Sequence, residues 1–168
     1  VGHDAKDTAE AKILNRVIRA TPEGWELEAD QRHAELIIEE LGLQQAKPVV
    51  TPGDEAHHEE GQDEVLDEWT TQRFRSLTAR ANYLAADRPD IQFTVKELCR
   101  DMSKPRQSSW QKLKRVGKFL IRRPRLVWTF NWEPRATEAD GYSDSNWAGF
   151  KVSRKSTSGG VVMVGSHV

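Results

Sequence analysis

An α+β architecture follows from three features of the 168-residue sequence. A strand, turn, strand pattern lies near the N-terminus, three amphipathic helical stripes occupy the middle, and apolar residues alternate with period two toward the C-terminus. Hydrophobic residues make up 37% and charged residues 30% of the chain, which is too little apolar material for one core spanning everything. The expectation is therefore pieces of two domains joined by a linker.

Residues 13–19 and 25–29 flank Thr21-Pro22-Glu23-Gly24. Proline followed closely by glycine is turn chemistry, so a hairpin is predicted. Asp30 is positioned to cap a helix over residues 31–41, with Ala34, Ile37, Ile38 and Leu41 on one stripe and Gly42 as the stop. From residue 47 to 72 the pattern dissolves into Pro48, Pro52, Gly53, Gly61 and dense Asp and Glu. Such a stretch buries too little apolar area to offset chain entropy, and it reads as a flexible acidic linker. His57 and His58 inside it have no further ligand at useful spacing and are not read as a metal site.

Past the linker, Phe74, Leu77, Ala81 and Leu84 trace a helix that must end before Pro89. Asp90 is read as the cap of a second helix carrying Ile91, Val95, Leu98, Cys99 and Met102, stopped by Pro105. Ser108 with Gln111 reads as a capping box for a third, on which Trp110, Leu113, Gly117 and Leu120 share a face until Arg122-Arg123-Pro124. Residues 73–124 thus form a helical connection. Leu126, Trp128, Phe130 and Trp132 then alternate with Val127, Thr129 and Asn131, giving a strand with one apolar face. Burial is the expectation for these aromatics, in preference to a base-stacking platform, and Trp110 and Trp147 are also assigned to a core.

Several classes of function are excluded or disfavoured. No stretch approaches the roughly 20 apolar residues of a membrane helix. The chain starts at Val1 without an initiator Met and shows no basic-plus-apolar leader, so a soluble, intracellular piece of a longer protein is expected. Cys99 is the lone cysteine, which rules out an internal disulfide and a zinc site built on cysteines. Charge is divided unevenly: residues 1–72 carry 6 Lys/Arg against 18 Asp/Glu, and residues 73–168 carry 19 against 8. A basic half beside an acidic one hints at nucleic-acid contact. Lys112, Lys114, Arg115, Lys118, Arg122 and Arg123 crowd the third helix of the connection, and a row of that kind would grip phosphates without reading sequence.

Ordered motifs then point to a family. Arg88-Pro89-Asp90-Ile91, Met102-Ser103-Lys104-Pro105, Trp110-Gln111-Lys112-Leu113-Lys114-Arg115-Val116, Tyr142-Ser143-Asp144-Ser145-Asn146-Trp147-Ala148-Gly149 and Arg154-Lys155-Ser156-Thr157-Ser158-Gly159 follow one another. Together they resemble the C-terminal Pol region of copia-type retrotransposons. Residues 1–46 resemble the end of that family's reverse transcriptase, a hairpin plus a helix. Residues 125–168 resemble the first strands of its RNase H domain, a mixed sheet truncated here.

The resemblance implies a fragment of a polyprotein serving RNA-templated DNA synthesis and the degradation of RNA in RNA–DNA hybrids. Asp144 matches the first metal-binding aspartate of the RNase H domain and is the one catalytic residue carried over, with Mg2+ as the metal of the complete site. Where the family has a second carboxylate two residues on, this chain has Asn146, and Gly160 replaces a tyrosine. The polymerase aspartates and the later RNase H carboxylates are missing from the sequence, so the fragment alone is expected to be inactive. Partners implied are an RNA–DNA hybrid or single-stranded nucleic acid and the remainder of the polyprotein, in a cytoplasmic particle or the nucleus, with no membrane. The alternative is a non-catalytic nucleic-acid-binding or scaffold remnant of such an element.

Overall fold

The computed structural model describes residues 1–2, 4, 6–53, 63–149 and 154–168; His57 and His58 lie outside the described residues. Among the described residues the elements are, in order, β1 (Glu10–Ile13), β2 (Arg16–Thr21), β3 (Gly24–Glu28), α1 (Gln31–Glu40), α2 (Glu68–Ala85), α3 (Pro89–Arg100), α4 (Gln107–Arg122), β4 (Val127–Asn131), β5 (Ala139–Ser145) and β6 (Ser158–Val164). Among the described residues, strands β1 to β4 form one sheet in chain order and β5 pairs with β6 in another. This is an α+β architecture. The chain divides into two compact units, Val1–Ala20 with Glu26–Trp128, and Thr21–Trp25 with Thr129–Val168.

In the first unit, β1 and β2 are an antiparallel hairpin with Ile13 opposite Arg16. Leu14 and Asn15 turn the chain at φ 49° and 63°, the left-handed pair that a two-residue hairpin turn requires. The single strand expected over residues 13–19 is thus broken by the turn, with β1 ending at Ile13 and β2 starting at Arg16. Asn15 is a residue type at home in that conformation, but Leu14 beside it masks the turn signal.

Helix α1 forms as its ends dictate. The Asp30 carboxylate accepts from the Arg32 backbone N–H at 3.0 Å, and Gly42 at φ 65° lets the chain leave the helix. Ala34 and Ile37 are fully buried.

Helix α2 begins at Glu68, inside the stretch read as linker, with Asp67 accepting from the Thr70 N–H at 3.0 Å. The described ends of that stretch are anchored. Val49 N–H donates to the Lys118 carbonyl at 3.4 Å, Leu66 N–H to Pro105 at 3.0 Å, and Gln107 N–H to Glu64 at 2.9 Å. Leu66 is buried. Acidic composition hides these anchors, because three valines and one leucine scattered through the stretch leave no periodic signal.

Two caps differ from expectation. In α3 the first helical position is Pro89, whose missing N–H costs nothing there. Asp90 does not cap the helix but accepts two hydrogen bonds from the buried Arg88 guanidinium, at 2.9 and 2.8 Å. In α4 the capping position is Arg106, whose N–H donates to Ser109 Oγ at 3.2 Å. Ser108 instead donates its backbone N–H to Asp63 at 2.9 Å, and its hydroxyl to the same carboxylate. A cap supplied from 45 residues away has no local signature. The helices close over Phe74, Leu77, Ile91, Leu98, Leu113 and Leu120, each contributing about 1.5–3 kcal/mol by burial.

In the second unit, β5 and β6 pair with Tyr142 opposite Val161 and Asp144 opposite Gly159. Gly165 turns the chain at φ 63°. Beyond it Ser166 N–H donates to the Glu133 carboxylate, and His167 Nε2 stands 3.0 Å from the Asn131 carbonyl. Burial of the β4 aromatics is not what is found: Trp132 is 58% exposed, while Trp128 and Phe130 are half-buried. Strand β4 is at the sheet's margin, so one apolar face is only partly covered. Trp147 is 91% exposed and Trp110 half-buried, so neither is a core residue in the full sense.

Candidate functional site

Helix α4 buries Ser109, Leu113, Val116, Gly117, Phe119 and Leu120. Gly117 is where α1's end comes closest: a Cβ there would lie 2.6 Å from Leu43 Cδ1 and 3.0 Å from Leu41 Cδ1. That packing pushes the cations to the opposite side. Lys112, Lys114, Arg115 and Lys118 are half-buried, and Arg122 and Arg123 are exposed. Long cationic side chains can lay their stems along a helix surface and keep the charge at its edge, although Arg115 Nε is buried.

Three of the heads have described neighbours. Lys112 Nζ is 4.0 Å from Asp101, Arg115 Nη2 donates to Thr51 Oγ1 at 3.0 Å, and Lys114 Nζ lies 5.9 Å from the Trp110 ring centroid. No Asp or Glu occurs within α4. Lys114, Lys118 and Arg122 follow one another at intervals of four, where like charges destabilise a helix by about 0.2–0.5 kcal/mol per pair. Stability therefore does not account for this row. What the row can do chemically is bind a polyanion by neutralising successive phosphates.

Asp144 lies in β5 and is exposed. By the strand register it shares a face with Asp140, Tyr142, Val161 and Met163. Asp140 is four residues away along the strand, about 13 Å. Mg2+ needs octahedral oxygen ligands, usually one or two carboxylates with waters and substrate phosphates. Among the described residues no group of three or more His, Cys, Asp or Glu could hold a metal ion, so they do not compose a magnesium site by themselves. Asn146, where a further carboxylate is expected, has a local structural role instead: its Oδ1 accepts from the Thr157 N–H at 2.5 Å, joining the ends of β5 and β6.

Two clusters escape sequence reading. The Glu28 side chain is fully buried and accepts from Arg125 Nε at 2.6 Å, Arg125 Nη2 at 2.8 Å and Arg19 Nη1 at 2.9 Å, with Gln31 also donating. Arg125 above all, against the opposing effect of burial, holds its carboxyl down at about 2. The second is an aromatic and cationic column on α2 and α4. The Arg73 guanidinium carbon lies 4.6 Å from the Trp69 ring centroid and 5.7 Å from that of Trp110, and Lys114 continues the series. Its signal is a repeated i, i+4 spacing, Trp69 with Arg73 and Trp110 with Lys114, but the first pair sits where composition suggested linker and its margin.

Comparison with known proteins adds an independent finding. A segment of 94 residues, 56% of the chain, is 34% identical to a retrovirus-related Pol polyprotein from transposon RE1 of Arabidopsis thaliana. The chain spans about 6% of the length of that polyprotein. It is also 26% identical over 164 residues, 93% of its length, to an uncharacterized mitochondrial protein of Arabidopsis thaliana, of which it covers 63%. A secreted RxLR effector protein of Plasmopara viticola is 40% identical over 79 residues, 45% of this chain and 53% of the effector. No family model and no solved structure matches.

Proposed function

Because 94 residues of the chain are similar to a segment of retrovirus-related Pol polyproteins, we propose that it is a copia-type connecting segment that grips an RNA–DNA hybrid between a polymerase end and a nuclease beginning. The observation that carries this reading is the α4 row, a helix face of Lys and Arg with no acidic residue among them. Phosphate contacts of that kind hold a duplex in place without specifying its sequence.

Asp144 takes a lesser part in the reading. In a longer polyprotein it would supply one carboxylate toward Mg2+, the ion that polarises phosphate oxygens and water in hybrid cleavage. The described residues of this chain provide phosphate grip and strand geometry, and no cleavage step is assigned to them.

The test is hybrid binding measured by fluorescence anisotropy over a range of potassium chloride. Affinity should fall steeply with salt, with a slope of about 0.9 per phosphate contact by the duplex-DNA rule. Changing Lys114, Arg115 and Lys118 together to Gln should cut that slope by about two to three. An unchanged slope removes α4 as the grip, and the non-catalytic scaffold reading then takes its place.

A further inference from the structure

We propose that Trp69, Arg73, Trp110 and Lys114 form a stacking site for an unpaired base of a single nucleic-acid strand. This rests on the reading of α4 as a phosphate-binding face, because Lys114 belongs to both.

Trp69 sits in the first turn of α2 and is 64% exposed. Burying a tryptophan stabilises far more than a surface cation–π contact does. Fold stability therefore does not explain a large ring held mostly in solvent. The ring is nonetheless supported, since Arg73 lies over it and is itself fixed by donating to the Glu40 carbonyl at the end of α1. Trp110 backs Arg73 in turn, packed against the core. The platform is ordered before any partner arrives, which lowers the entropic cost of binding.

The chemistry selects the partner. An acidic peptide would engage the cations and leave Trp69 unused. In a duplex the base faces are already stacked on one another. A single strand presents both a free π-face for Trp69 and phosphates for Lys114 and, four residues on, Lys118. Asp67 and Glu68 lie just before Trp69, so their charge repels a strand on that side and directs it toward α4.

The experiment titrates the 168-residue chain into two labelled probes, a short oligothymidylate and an RNA–DNA hybrid duplex, using Trp69→Ala, Trp69→Phe and Lys118→Gln. Trp69→Ala should weaken single-strand binding about tenfold or more, Trp69→Phe should restore most of it, and hybrid affinity should move less than about twofold. Wild-type single-strand affinity in Trp69→Ala, or an equal loss on both probes, overturns the stacking site. If Lys118→Gln leaves hybrid binding intact while Trp69→Ala still weakens the single strand, the hybrid grip fails and the stacking site stands.

Discussion

Arg125 meets Glu28 fork to fork, with Nε donating to one carboxylate oxygen at 2.6 Å and Nη2 to the other at 2.8 Å. The two residues are 97 positions apart. They fasten the end of β3 to the residue run that leads from α4 into β4. The carboxylate is fully buried while the Arg125 side chain is about half exposed, so the pair keeps solvent around the cation and shields the anion.

Removing the Glu28 charge should therefore be expensive. Glu28→Gln leaves Arg19 and Arg125 facing a neutral amide, with an expected loss of about 3 kcal/mol. Urea unfolding followed by far-ultraviolet circular dichroism measures it. A change below about 0.5 kcal/mol would mean the guanidinium groups find water equally good.

The same carboxyl makes stability pH-dependent. Its folded-state pKa, about 2, lies below the ordinary 4.5, so the unfolded chain takes up the proton first as acid is added. The stabilisation is fully present above about pH 4.5 and is lost as pH falls through 2, a contribution of about 3 kcal/mol. Acid titration of unfolding free energy should show that decline in the parent chain and a flatter curve over the same window in Glu28→Gln. Asp30, lowered chiefly by its hydrogen bond from Arg32, adds to the decline in both.

Gly24 adopts φ 156°, and a Cβ there would overlap the Phe130 carbonyl oxygen. Gly24→Ala should cost at least about 2 kcal/mol. The Trp132 amide, which donates to Glu23 at 2.7 Å, should lose protection in hydrogen exchange. Retained protection would show that the strands accommodate the added methyl and stay paired.

Asp63→Ala and Asp144→Asn make a contrasting pair. Asp63 bonds the first turn of α4, so its loss should cost about 1 kcal/mol. Asp144 is exposed, and its substitution should change stability by less than about 0.5 kcal/mol. Thermal melting separates the two, and equal shifts would contradict this division.

Local signals in the sequence were sufficient where chemistry and structure are neighbours. Asp30, Gly42, Pro89 and the apolar stripe from Phe74 to Leu84 mark their helices because caps and periodicity act within a turn or two. What was hidden depends on distant partners: the Asp63 cap and the Glu28 cluster join residues that composition treats separately. The exposure of Trp132 has no sequence signal, because alternation reveals a face but not what lies against it. Of the candidate site, the α4 row was readable from spacing alone, whereas Trp69 and Arg73 acquire meaning only when Trp110 is placed beside them.

A helix with many cations and no anion of its own behaves as an incomplete electrolyte. Dissolved salt and a bound polyanion are alternative suppliers of the missing counter-charge, so both should relieve the same repulsion along α4. Occupancy and folding are then thermodynamically linked. The chain gains most from its partner in dilute buffer, where it is least screened, and that gain fades as the medium takes over the partner's role.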